Sequence, residues 1–159
     1  MLKFALFGAG RIGRMHAANL AGHKKAELLW VYDINQAAGD EVAASFGARS
    51  SSTTEEPLSD PEVDAVLIAT STDTHAPLIV ESAKAGKAVF CEKPIDLSLE
   101  KVDWCRDQIR NLDVPVQIGF NRRFDPSHRK VALAAQNGEI GALEQVLISS
   151  RDPEPPPKE

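Results

Sequence analysis

Along the chain, short and nearly unbroken apolar runs alternate with stretches in which apolar side chains recur every three or four positions. The runs at residues 2–7, 27–33, 64–70, 88–91 and 114–119 read as strands. Runs so free of polar side chains, 64–70 above all, are expected where both faces of a parallel sheet are covered. Between them, four sets fall at helical spacing: Ile12, Met15, His16 and Leu20; Ala38, Val42 and Phe46; Leu78, Ile79 and Ala83; Leu99, Val102, Cys105, Ile109 and Leu112. Each set predicts a helix with those residues inward. Asn35 and Ser98 are suited to open helices, and Gly47 and Gly86 to close them. Residues 48–50 predict a short strand, 51–57 a polar loop, and 58–60 a brief helical turn ahead of Pro61. Strictly alternating strands and helices predict an α/β fold with a doubly wound parallel sheet. Beyond it, Asp125-Pro126 opens a helix that runs to about Asn137 and closes at Gly138; residues 143–150 predict one more strand, and 151–159 a proline-rich loop.

Length and charge narrow the classes of function. With 159 residues there is enough chain for one full core and too little for two ordinary domains. The formal charge of −5, from 18 basic and 23 acidic residues, argues against a nucleic-acid surface, and no basic run is interleaved with aromatics. Neither a membrane span nor a signal peptide is recognisable, so a cytoplasmic protein is expected. Cys91 and Cys105 have no metal-ligand spacing and form no CxxC pair. Buried, reduced packing is favoured over a disulfide, and no metal site is expected.

Candidate chemistry begins at Phe7-Gly8-Ala9-Gly10-Arg11-Ile12-Gly13, between the first strand and the first helix. Gly8 suits a tight turn, Gly10 lets backbone approach a pyrophosphate, and Gly13 lets the helix pack against the strand. Helix N–H groups without internal partners, aided by the helix dipole, would bind the diphosphate, with Arg11 as a cationic edge and Ile12 in the same turn. Asp33 ends the second strand twenty residues after Gly13, where a carboxylate can accept hydrogen bonds from an adenosine ribose and would repel a 2′-phosphate. With Ile34 rather than a basic residue next to it, NAD is preferred over NADP. The plainer alternative is that Asp33 merely caps the next helix. Residues 51–57 would cover the adenine side.

At the carboxyl edge of the sheet stands Thr70-Ser71-Thr72-Asp73-Thr74-His75, where ligands gather in open α/β folds. Asp73 or Thr74 can cap the following helix while Ser71 and Thr72 face the cofactor. His75 is either a packed side chain or part of the site. The next strand delivers Glu92-Lys93-Pro94. Proline restrains the residue before it, so Lys93 would be aimed in one direction, with Glu92 able to hold its ammonium.

Together, the glycine turn, Cys91-Glu92-Lys93-Pro94 and Gly119-Phe120-Asn121-Arg122-Arg123-Phe124-Asp125 resemble the Gfo/Idh/MocA oxidoreductases, and within that family its inositol-oxidising members. The resemblance runs from Leu2 to about Pro157. It implies a Rossmann NAD-binding domain over residues 1–120, then a hinge and the incomplete start of an α+β substrate and oligomerisation domain over 121–159. It also implies hydride transfer from a secondary alcohol of a polyol or sugar to NAD, in a homo-oligomer. Lys93 would stabilise the developing alkoxide, Asp33 would hold the ribose, and Arg122 and Arg123 would lie on the substrate side. Family members continue into an open antiparallel sheet, where an Asp and a His on one helix complete the site. His16, His23, His75 and His128 all precede that region. The chain by itself is therefore expected to bind cofactor and to be inactive. The alternatives are a non-catalytic NAD-binding module and an interaction remnant in which the strand at 143–150 pairs between copies.

Overall fold

The computed structural model describes residues 1–151, so the end of the expected proline-rich loop, 152–159, lies outside the described residues. The five apolar runs and the short polar stretch near residue 50 form β1 (Leu2–Phe7), β2 (Ala26–Tyr32), β3 (Arg49–Ser51), β4 (Ala65–Ile68), β5 (Ala88–Cys91) and β6 (Val116–Ile118). All neighbours pair in parallel, in the order β3-β2-β1-β4-β5-β6. The order reverses between β1 and β4, which leaves a crevice beyond their carboxyl ends. Parallel neighbours require crossovers, supplied by α1 (Arg11–Gly22), α2 (Gln36–Phe46), α3 (Glu55–Ser59), α4 (His75–Lys84) and α5 (Leu99–Ile109).

Strand alternation divides the core into two layers. Leu6, Val31 and Leu67 meet Ala17, Leu20, Val42 and Ala43 of α1 and α2. Ala5, Phe7, Val66 and Ile68 meet Ala76, Ile79 and Ala83 of α4 and Cys105 of α5. Asn35 caps α2 by accepting from the Ala38 N–H, and Gly47 ends it at φ 69°.

Several local expectations are corrected. On α1 the buried face is Gly13, Ala17 and Leu20, with Met15 turned to solvent, because a glycine must sit nearest the strand for the helix to approach. On α2, Ala43 is buried while Phe46 stays partly exposed, and on α5 Leu99 is 81% exposed. The stretch expected as a polar loop contains α3, since Pro57 falls in its first turn, where no N–H is needed, and buries with Leu58. β3 lies one residue later than expected and β6 is shorter.

The described chain divides after Phe120, and a second unit begins at Asn121. It holds a 3-10 turn at Asn121–Arg123 and α6 (Pro126–Gln136). Asp125 caps α6 by accepting from the His128 N–H, with proline as the first helical residue. Residues 143–150, expected as a strand, take no regular structure. A strand needs a partner for its backbone, and no described strand pairs with this one; Leu147 and Ile148 are accordingly exposed.

Cys91 and Cys105 are both free and buried. Burial, with Cys105 nearby, pushes the Cys91 thiol up to about 12. Its thiolate is scarce at pH 8, so an aromatic disulfide reagent should label Cys91 only after unfolding. Rapid labelling of the folded chain at that position, read by peptide mass spectrometry, would contradict this placement.

Among the described residues no helix is long and apolar enough to cross a membrane, and no group of His, Cys, Asp and Glu is arranged to hold a metal ion.

Candidate functional site

Where β1 ends, the chain must turn sharply into α1, and Gly8 does so at φ 101°, in the left-handed region that favours glycine. A Cβ on Gly8 would stand 2.5 Å from the Ala69 carbonyl oxygen, and one on Gly13 would stand 1.9 Å from the Gly8 carbonyl oxygen. Gly10 differs: nothing lies within 4 Å of where its Cβ would be. The first two glycines are required by packing within the chain. The third leaves space above the opening of α1, which no side chain caps.

Asp33 is tied into this turn. Its Oδ2 accepts from the Ala9 N–H at 2.6 Å and its Oδ1 accepts from the Asn35 N–H at 2.8 Å. A carboxylate has about four lone-pair positions, so acceptor capacity remains for a ligand. The turn is further held by the Gly8 N–H donating to the Tyr32 carbonyl at 2.8 Å, and by an edge-to-face contact of Phe7 with Tyr32.

Over the turn opens a cavity of about 600 Å³. Of the residues expected at a cofactor site, Gly8, Gly10, Arg11, Ile12, Asp33 and Ser71 line it. Ile34, which the sequence sets beside Asp33, and Thr70 and Thr74, which it sets at the carboxyl edge of the sheet, line it too, and Tyr32, Ala69, Pro77 and Leu78 complete the wall without having been expected there. Adjacency to Asp33 and Thr70 could have pointed to Tyr32 and Ala69, whereas the helical spacing of Leu78 puts it inward. Gly13, Thr72, His75, Glu92 and Lys93 are not on the wall.

Thr74 does not cap α4 through its side chain. Its hydroxyl donates to the Ser71 carbonyl at 2.7 Å and lies 2.7 Å from the Thr70 hydroxyl, bracing the loop at the carboxyl end of β4. His75 is 2% exposed, with Nδ1 2.7 Å from the Pro94 carbonyl oxygen and Nε2 3.1 Å from that of Thr70.

Lys93 follows β5, is exposed, and precedes a cis peptide bond to Pro94. Glu92 does not hold the Lys93 ammonium: its Oε1 is 2.8 Å from His16 Nε2, and its Oε2 accepts from the Lys93 backbone N–H at 3.3 Å. One Glu92 oxygen is turned to His16 and the other to the Lys93 backbone, and among the described residues nothing pairs with the Lys93 ammonium. His16 and Glu92 lie 76 positions apart, and no local sequence signal joins them. Arg122 and Arg123 belong to the second unit and are exposed; Arg122 Nη1 is 3.9 Å from Asp125 Oδ2.

The residues around the cavity fit a dinucleotide: unpaired helix N–H groups, a glycine with open space above it, an adjacent carboxylate with acceptor capacity, and apolar walls at Ile12, Ile34, Pro77 and Leu78. Comparison with known proteins agrees. Residues 2–120 match the model of the Gfo/Idh/MocA oxidoreductase family with its NAD-binding Rossmann fold. An inositol 2-dehydrogenase of Rhizobium meliloti is 45% identical over 98% of this chain and 47% of its own length. A myo-inositol dehydrogenase of Corynebacterium glutamicum superposes with a TM-score of 0.84 at 40% identity, over 91% of this chain and 43% of that one. The scyllo-inositol dehydrogenase of Lactobacillus casei, solved with NAD(H) and scyllo-inositol, gives 0.84 at 30% identity over 89% of this chain and 42% of that one. The chain thus spans about half the length of the curated relatives it matches. With the glycine turn, the strand order and the family match all in agreement, the chain belongs to the Gfo/Idh/MocA oxidoreductases and carries their NAD-binding Rossmann fold.

Proposed function

We propose that these residues form the cofactor-binding part of an NAD-dependent dehydrogenase that oxidises a secondary alcohol of a cyclic polyol, inositol being the first candidate. The single observation that supports this most is the cavity at the strand-order reversal, walled by Gly8, Gly10 and Asp33. In this reading the diphosphate lies on the opening of α1, the ribose hydroxyls bond to Asp33, and Ser71 faces the cofactor, with Thr72 beside it. Bound NAD would supply the hydride acceptor. Lys93 would donate to the reacting hydroxyl oxygen and stabilise the negative charge that grows there as the proton leaves. Arg122 and Arg123 are assigned to the substrate side, residues 121–159 to a hinge and the start of a substrate domain, and the whole to a cytoplasmic homo-oligomer. Exposure of Val146, Leu147 and Ile148 supports self-association.

The test combines a cofactor titration with an assay of NADH formation from myo-inositol. Lys93→Met should leave NAD affinity within about twofold while lowering whatever turnover the unmodified protein shows by at least about 100-fold, the scale for one group acting on the reacting atoms. NAD binding with turnover insensitive to Lys93 would remove the lysine from the chemistry.

A further inference from the structure

Two histidines grip the Glu92-Lys93-Pro94 turn, and they come from helices packed on opposite faces of the sheet. α1, which carries His16, packs in the layer of Leu6 and Leu67, whereas α4, which opens with His75, packs in the layer of Phe7 and Ile68. His16 Nε2 is 2.8 Å from Glu92 Oε1, with the two side chains only 14% and 22% exposed. The imidazole also stands edge-on to Phe90, at 5.6 Å between ring centres. Behind the carboxylate is Gly119, where a Cβ would come within 3.3 Å of Glu92 Cδ. Glu92 is thus enclosed between His16 and the end of β6, and its backbone N–H donates to the Ile68 carbonyl at 2.9 Å.

On the other face, His75 reaches the Pro94 carbonyl oxygen at 2.7 Å and the Thr70 carbonyl oxygen at 3.1 Å. With one N–H on a neutral imidazole, the shorter contact takes it, and the bond to Pro94 ties the turn after β5 to the start of α4, next to the loop after β4 that lines the cavity. Burying an imidazole costs stability unless it is hydrogen-bonded. An apolar side chain of similar size would fill the space at 2% exposure without that cost. What it could not do is fix the Pro94 carbonyl.

Both neighbours of Lys93 are therefore fixed while its own side chain remains exposed. We infer that His16 and His75 are positioning residues, which clamp the tripeptide from the two faces of the sheet and give Lys93 one direction. This rests on the reading of Lys93 as the group that meets the reacting hydroxyl. Neither histidine lines the cavity, so neither is needed to hold NAD.

The inference is tested by backbone ¹⁵N relaxation on the full chain and on His16→Leu, His16→Gln and His75→Leu. In the unmodified chain the Lys93 amide should have an order parameter near 0.85; in each leucine variant it should fall below about 0.6, with the strand amides unchanged. His16→Gln keeps a side-chain N–H for Glu92 and should restore the order of Lys93. NAD affinity should stay within about twofold throughout, as expected for side chains away from the cavity wall. If His75→Leu does not fold, the His16 pair of variants, at a less deeply buried position, decides. Unchanged order at Lys93 in His16→Leu, whatever the melting temperature does, would overturn the inference, as would order lost equally across the sheet. A failure of Lys93→Met to lower turnover would count against the role of the lysine and leave these order parameters as they are.

Discussion

Replacing Gly13 with alanine should destabilise the chain by about 3 kcal/mol or more, at or above the upper end of the usual cost of overpacking. The new methyl carbon would lie 1.9 Å from the Gly8 carbonyl oxygen and 2.8 Å from the Gly8 carbonyl carbon. Both atoms are backbone, so no side chain can swing aside. Relief requires α1 to move away from β1, and that carries the N–H groups at its opening away from the cavity. NAD binding should be lost together with stability. Gly22, at the far end of the same helix, has nothing within 4 Å of its Cβ position. Alanine there should be neutral or stabilise by up to about 1 kcal/mol through helix propensity. Urea unfolding of the two variants side by side makes the comparison, and equal midpoints would show that α1 does not pack on Gly8 as described.

Much of this was legible in the sequence because it rests on local pattern. An unbroken apolar run such as 65–68 is a buried strand wherever it occurs in an α/β chain, and the glycine turn fixes its own geometry. Asp33 could be found because its distance from the turn is set by one strand-helix-strand unit. What stayed hidden depends on pairs brought together by the sheet. His16 lies at helical spacing with Ile12 and Leu20, which suggests packing, yet its partner Glu92 is delivered by a strand far along the chain. Helical period alone also misplaced Met15 and Leu99, since it gives the spacing of a face without saying where the face is centred. At residues 143–150 the apolar content was read as a strand, but composition provides no partner.

Asp33→Ala should weaken NAD binding by about 1 to 3 kcal/mol, the range for losing a charge-assisted hydrogen bond, and should narrow the preference over NADP. Two effects combine. The ribose hydroxyls lose their acceptor, and the Ala9 and Asn35 N–H groups, bonded to this carboxylate at 2.6 and 2.8 Å, lose theirs. NADP should lose less or gain, because its 2′-phosphate no longer faces a negative charge. Asp33→Asn removes the charge and keeps one of the two acceptors of the turn, with its NH2 group then facing the other backbone N–H. NADP discrimination should then fall, and the melting temperature should drop less than in Asp33→Ala, where both N–H groups lose their acceptor.

The most direct measurement is calorimetric titration of the unmodified chain with NAD and, separately, with NADP at one ionic strength. Saturable binding of NAD, at least about tenfold tighter than NADP, is the expected result, since a 2′-phosphate beside the Asp33 carboxylate costs more than 1.4 kcal/mol at close range. Equal affinity for the two cofactors, or no binding of NAD by a folded chain, would contradict the assignment of the cavity.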